Sequence, residues 1–466
     1  MILLPPTWPL RSTPPVSDIA RAEDKRRRLV DSIENPGVVA RQVLDPPVEL
    51  GFPFRPSSIA AGYMTWSRVT EILPGFLLGV VTARDEFLVD VDQEALQARV
   101  AAYFDDRLGL SELASIAPGA ARDANRFSAA DTRRALLARG GPLVDHFVPY
   151  AYRPFDERWI YWEPETKLLH EKRAELFPLV TAGNLFLVTQ QRPRRTWGPP
   201  QVVSALACFD LMDRGASLFP LRLSDSPGSL PGLEAESHSD REVLFFHALA
   251  IMHSPTYALE NDAGLRLDWP RIPVARDIEH SAELGRRVAS VLDIHSRLDS
   301  GQTGAFGSLR SAMGQPLDPG RDLGVTAHWG SPGSGGICMP STGKLTDRLY
   351  TQDEHAAIAE RAELLGISAE RMIALLGETC LDVYLNDVAY WRCVPSKVWR
   401  YTIGGYQVIK KWLSYRERAL LGRDLKPEEA RYVTEMVRRI AALVLMQPEL
   451  DANYERVKAD VWEWGK

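Results

Sequence analysis

Six consecutive residues, Gln190-Gln191-Arg192-Pro193-Arg194-Arg195, set two amides and three guanidinium groups around one proline with no acid among them. Glutamine and arginine can hydrogen-bond base edges in pairs, and arginine also neutralises phosphate, so this composition suits contact with a nucleic acid. It equally suits a solvated loop or a set of intramolecular ion-pair partners. A second concentration lies between Ser396 and Arg423, where Lys397, Arg400, Lys410, Lys411, Arg416, Arg418 and Arg423 stand against the single acid Glu417. Within it, Gly404-Gly405 would let a strand turn directly into the helix carrying Lys410, Lys411 and Trp412, leaving backbone N–H groups at a helix N-terminus for a phosphate. The competing reading is that the glycines only allow close packing, with Trp399, Tyr406 and Trp412 as core. The candidate contacts to DNA are Gln190, Gln191, Arg192, Arg194, Arg195, Lys410, Lys411 and Arg416. A third basic run, Lys25-Arg26-Arg27-Arg28, reads first as a solvated helix face and second as a phosphate contact.

Constellations that would make the chain an enzyme are missing when sought one by one. The sequence holds no Gly-x-Ser-x-Gly elbow, no His-Glu-x-x-His, no paired Cys and His spacing for zinc, and no Gly-x-Gly-x-x-Gly after a strand. Asp45-Pro46-Pro47-Val48 approaches the Asp/Asn-Pro-Pro-Tyr/Phe motif that holds a flipped adenine, but Val48 cannot stack on a base. The glycine-rich stretch Gly301 to Gly343 has 11 of the 33 glycines, yet Gly336 lies seven positions before Gly343 and Lys344 is followed by Leu345, so it is no Walker A loop. It reads instead as a mobile loop or an irregular subdomain. His247 and His253 have no Cys, Asp or Glu at metal-pair spacing and read as satisfied core or boundary histidines. No catalytic residue, metal ligand or cofactor site is assigned.

These residues need a scaffold, and periodicity supplies one. Phe147 to Tyr152 and Arg158 to Trp162 read as strands around a Pro154 turn, and Leu185 to Thr189 as the strand from which the Gln190 arm leaves. Phe76 to Ala83 and Phe87 to Val91 form a strand-turn-strand unit, and Val202 to Cys208 and Ser217 to Leu223 extend the same sheet. Asp92 caps a helix with Leu96, Val100 and Phe104 at helical spacing, and another runs from Ser128 or Asp131 to Gly140. Helices are also expected at 241–253, 282–298, 353–365, 368–376, 406–416, 427–445 and 450–464, with strands at 381–385 and 398–403. The fold class is α/β to α+β: a mixed central sheet with flanking helices and a largely helical C-terminal lobe. Three regions follow: an irregular proline-rich segment over 1–70, a mixed lobe over 71–225 and a mainly helical lobe over 241–466, with a polar loop between the lobes.

At 466 residues the chain exceeds one typical core, and 45% apolar with 25% charged residues describes a folded protein. The net charge of −6 is unfavourable for a nucleic-acid binder only if the positive residues are dispersed, and they are not. Met1-Ile2-Leu3-Leu4 is cut short by Pro5-Pro6 and no apolar run reaches bilayer length, so no signal peptide, no membrane span and a cytoplasmic location are expected. Cys208, Cys338, Cys380 and Cys393 are widely spaced and read as free thiols.

Several pieces, in order, resemble one family. They are G-V-V-T-A-R-D-E-F at Gly79 to Phe87, Y-R-P-F-D-E-R-W-I-Y at Tyr152 to Tyr161, N-L-F-L-V-T-Q-Q-R at Asn184 to Arg192 and S-L-F-P-L-R-L at Ser217 to Leu223. H-S-P-T-Y at His253 to Tyr257, D-W-P-R-I-P at Asp268 to Pro273 and the run Val398 to Glu417 continue the series. Together they resemble the C-terminal target-recognition region of type ISP restriction-modification enzymes and related adenine-specific DNA methyltransferases. That resemblance implies a sequence-specific double-stranded-DNA-binding module, with nuclease, helicase and methyl transfer belonging to upstream domains. It implies a separate methyltransferase partner, through which alone S-adenosylmethionine would enter. Two rivals remain: a divergent S-adenosylmethionine-dependent adenine methyltransferase using Asp45-Pro46-Pro47, and a protein-interaction subunit of an anti-phage complex that never touches DNA.

Overall fold

The computed structural model describes residues 12–13, 22–34, 42–43, 50, 59–194, 196–223, 238–298, 306–333 and 338–462. Asp45-Pro46-Pro47-Val48, Arg195, most of the loop between the lobes, residues 301–305 and 334–337 of the glycine-rich stretch, and Trp464 lie outside them.

The expected hairpin is present as strands Phe147–Arg153 and Asp156–Tyr161, in register Phe147↔Tyr161 and Val148↔Ile160. Its tight turn at Pro154-Phe155 uses a left-handed Phe155, φ 56°. Val89–Asp90 pairs with one edge and Leu206–Ala207, in parallel, with the other. A second four-stranded sheet runs Leu77–Leu78, Ser217–Pro220, Phe186–Thr189, Gln201–Val203, all antiparallel. The strands expected to extend one sheet thus divide between two, the chain crossing over at Ser204-Ala205.

The strand expected at Phe87 to Val91 shrinks to Val89–Asp90, because Asp85–Leu88 is a helical turn. The Phe87 and Leu88 amides both donate to the Arg84 carbonyl, while the Asp85 carboxylate accepts from Thr82 and Tyr152 hydroxyls. A short acid bonding locally draws the backbone out of the extended state. Gln93–Tyr103 follows, capped by Asp92 accepting from the Glu94 and Ala95 amides. Ala129–Arg139 is capped by Ser128 and closed by a left-handed Gly140.

In the C-terminal half, His238–Met252 packs along Glu279–Leu292. Close approach is possible because Gly285 lies against the Phe246 carbonyl, where a Cβ would overlap it. His247 is a satisfied core residue: Nε2 donates to the Pro273 carbonyl at 2.9 Å and Nδ1 accepts from the Ser281 hydroxyl at 2.8 Å. His253 donates to the Pro200 carbonyl. A third sheet orders Ser308–Ser311, Ala389–Pro395, Thr379–Tyr384 and Leu345–Leu349. Its Ala389–Pro395 strand was not anticipated, and the strand expected over 398–403 is a helical turn, Ser396–Trp399, followed by Thr402–Ile403.

The two final helices are one, Pro427–Ala459, with Pro448 inside. An internal proline costs a backbone bond and crowds the preceding turn. The helix continues because Leu443, Val444, Leu450, Tyr454 and Val457 bury it on both sides of that point. Arg439, fully buried within it, donates to the carbonyls of Val291, Asp293 and Ser296, closing the end of the neighbouring helix. Among the described residues, no helix is long and apolar enough to cross a membrane.

Candidate nucleic-acid interface

The arm and the basic segment, far apart in sequence, meet on one turn. The Gln190 amide is buried and donates to the carbonyls of Met212 and Arg214. On the same turn, Gly404 sits so close that a Cβ would stand 2.6 Å from the Met212 Cα, and one on Gly405 would reach Asp213 at 3.9 Å. The arm's return passes over the same hairpin, Gly198 lying against the Gly404 amide. Gly404 and Gly405 both hold positive φ, 53° and 80°, as a two-residue turn between Thr402–Ile403 and Tyr406–Gln407 requires. So the glycines form a hairpin that docks on the 212–213 turn rather than a direct strand-to-helix bend, and the packing reading holds for Trp399 and Trp412, which are buried.

From this junction the candidate residues separate into two groups. Arg192 and Arg194 are exposed. Arg192 donates through Nε to the Leu267 carbonyl at 2.7 Å, which fixes its stem and leaves the guanidinium tip uncommitted. Gln191, exposed, is held by Asp268 at 2.8 Å. Lys410 and Lys411 are half-buried on helix Val408–Tyr415. The Lys411 ammonium rests 4.5 Å from the Tyr415 ring and 5.4 Å from Tyr406. Among the described residues, none of Arg192, Arg194, Lys410 and Lys411 is within ion-pair distance of a carboxylate.

Gln190 and Arg416 depart from the expectation. Gln190 is the root of the arm, its amide spent on the Met212 and Arg214 carbonyls and so holding the turn. Arg416 is 4% exposed, pairs with Asp156 at 2.7 Å and stacks at 4.3 Å on Trp412. Arg158 holds the same carboxylate at 2.8 Å and lies over Tyr152 and Tyr415 at 3.9 and 4.4 Å. Burial pushes the Asp156 carboxyl up, and the Arg158 and Arg416 guanidinium groups more than reverse it, holding it below the usual carboxylate range. Arg416 is thus a bolt between the 147–161 hairpin and the helix Val408–Tyr415. Other cations of the basic segment are neutralised: Arg423 by Glu429, Arg418 by Asp424. Lys397 donates to the Ala374 carbonyl. Arg400 is exposed.

The sequence reading missed the turn itself. Asp213 and Gly215 both have positive φ, 72° and 80°, and the Met212-Asp213-Arg214-Gly215 string is the only prior signal, a turn composition of Asp and Gly. Arg214 is exposed there, without an ion-pair partner among the described residues.

One cluster could be mistaken for a metal centre. Glu354, Cys380 and Cys393 offer ligand atoms within 4.8 Å of one another. The Glu354 oxygens, however, already accept from Arg348, Arg392 and the Thr351 amide at 2.7–2.9 Å. Two guanidinium groups on the carboxylate make the cluster unsuited to a cation.

The model of the Type ISP C-terminal specificity domain matches residues 71–442. The fold is similar to that of a nuclease-deletion mutant of the Type ISP restriction-modification enzyme LlaGI in complex with a DNA substrate mimic, with TM-score 0.55 and 14% identity over 92% of this chain and 37% of that one. It is also similar to DrdV in a DNA complex, with TM-score 0.54 and 16% identity over 91% and 42% of the two chains. The ATP-dependent Type ISP enzyme LlaBIII bound to DNA gives 0.50 and 12% over 93% and 27%. This chain therefore spans 27–42% of the length of these three solved proteins. Among curated proteins, no sequence matches it.

Proposed function

The chain belongs to the Type ISP C-terminal specificity domain family, and from that premise we propose that it reads a target sequence in duplex DNA for a restriction-modification system. A separate adenine methyltransferase, which brings S-adenosylmethionine, acts at the site so chosen. The observation that supports this most is the junction at Met212–Arg214. It holds the root of the Gln191–Arg194 arm and the Gly404-Gly405 hairpin that leads into the Lys410–Lys411 helix, and the cations of both segments have no carboxylate partners among the described residues, inside a protein whose net charge is −6. Phosphate contacts from the lysines and from Arg192 and Arg194 would set register on the duplex, and the arm would also meet base edges. The DNA complexes of LlaGI, DrdV and LlaBIII support the same assignment.

Fluorescence anisotropy of the full chain with labelled duplex, across a salt series, tests it. Wild type should lose affinity linearly on logarithmic axes as salt rises. Arg192→Ala with Arg194→Ala should weaken binding and flatten that slope by about 2. An unchanged slope removes the arm from the interface.

A further inference from the structure

We infer that Arg214 is a base-reading residue, recognising a guanine edge in the target, with Gln190 as the residue that positions it. The inference rests on the DNA-binding reading and goes beyond it by naming a reader on a turn that no motif marks.

Arg214 is exposed at the tip of a turn held from both sides. Its own carbonyl and that of Met212 accept from Gln190, and Gly404 packs on the Met212 backbone. Asp213 and Gly215, both left-handed, bracket it and fix the direction in which the chain presents its side chain. Bidentate recognition of guanine O6 and N7 costs less when the backbone that carries the arginine is already held, because the side chain itself loses much rotamer freedom on binding. Arg214 stands exposed on that held turn and, among the described residues, is not within ion-pair distance of an acid, unlike Arg134, which is paired with Asp131 at 2.8 Å.

Charge separates a base from a phosphate as the partner. Asp210 and Asp213 lie beside Arg214 on the same loop, and burial raises the Asp210 carboxyl above its usual range. One Asp213 carboxylate oxygen is buried without a hydrogen-bond partner. Two acids around one arginine disfavour a phosphate, which carries a full negative charge, far more than a guanine edge, which carries only dipoles. The flanking Arg192, Arg194, Lys410 and Lys411 supply the phosphate attraction instead.

The test uses the full chain and a pool of duplexes with a randomised core. Wild type is selected against the pool, and affinities are then measured by anisotropy for the selected duplex, its single-base-pair variants and an unrelated duplex. Arg214→Ala should weaken binding to the selected duplex by about 5- to 150-fold and abolish the preference at one G·C pair. Affinity for the unrelated duplex and the salt slope should hold. Arg214→Lys, which keeps the charge but not the fork, should behave like the alanine variant, and Arg134→Ala like wild type. Unchanged thermal melting shows that the variants fold, as expected for an exposed side chain. If Arg214→Ala keeps every base preference, or loses affinity uniformly with a smaller salt slope, the inference fails while the DNA-binding reading stands. If wild type binds no duplex, that reading fails and this one with it.

Discussion

Arg416 and Lys410 stand six positions apart in one basic run, and the fold gives them opposite fates. Arg416 is sealed against Asp156 and Trp412, whereas Lys410 has no ion-pair partner among the described residues. Without Arg416, Asp156 keeps Arg158 as its partner, so the buried charge is left only partly compensated, at a cost of about 1–3 kcal/mol. Arg416→Ala should lower the urea midpoint accordingly, while Lys410→Ala should change stability by no more than about 0.5 kcal/mol and act on DNA affinity alone. The sequence shows that both residues are cations. It cannot show that Asp156, far earlier in the chain, meets only one of them, because a long-range pair leaves no periodic trace. Gln190 was misjudged for the same reason: an amide that can read a base can equally hold a turn, and the carbonyls it holds belong to residues 212 and 214.

Elements of ordinary length were legible. The 147–161 hairpin, the Asp92-capped helix and the helix stopped by Gly140 each carry several agreeing local signals. The elements that build the interface are too short for that. Thr402–Ile403 and Tyr406–Gln407 offer two residues each, so alternation has nothing to repeat, and only tertiary packing makes them strands. Docking of this hairpin has a sharp requirement at Gly404, where the left-handed backbone and the Met212 Cα both exclude a side chain. Gly404→Ala should therefore cost about 1–3 kcal/mol in denaturant unfolding. It should also weaken duplex binding by displacing the lysine helix from the arm. Gly422→Ala, also at positive φ but with open space around it, should show backbone strain alone and leave DNA binding intact.

For the whole molecule, the buried titratable groups set how stability follows pH. Burial lowers His247 and His253 from 6.5 to about 4, so the unfolded chain takes up their protons first as pH falls. Their contribution is complete above pH 6.5 and is lost as pH drops from 6.5 towards 4. Glu354 works lower down. Burial opposes its ionisation, but hydrogen bonds from Arg348 and the Thr351 amide outweigh it and hold the carboxyl at about 2, so its contribution is present above pH 4.5 and lost as pH falls from there towards 2. Urea midpoints measured from pH 8 to 3 should decline in those two stages. His247→Gln with His253→Gln should flatten the first stage, and Glu354→Gln the second. That both histidines are core residues was legible from their apolar helix, and the size of the depression was not, since it depends on complete desolvation by elements from distant parts of the chain.

The clamp on residues 212–214 separates what must stay from what is free to vary. Gln190, Gly198 and Gly404 are spent on backbone and admit little replacement, whereas the tips of Arg192, Arg194 and Arg214 end in solvent. Substitutions at those tips leave the scaffold's energetics nearly untouched, so a lineage carrying this fold can acquire a new recognition sequence by a few surface changes without first becoming unstable.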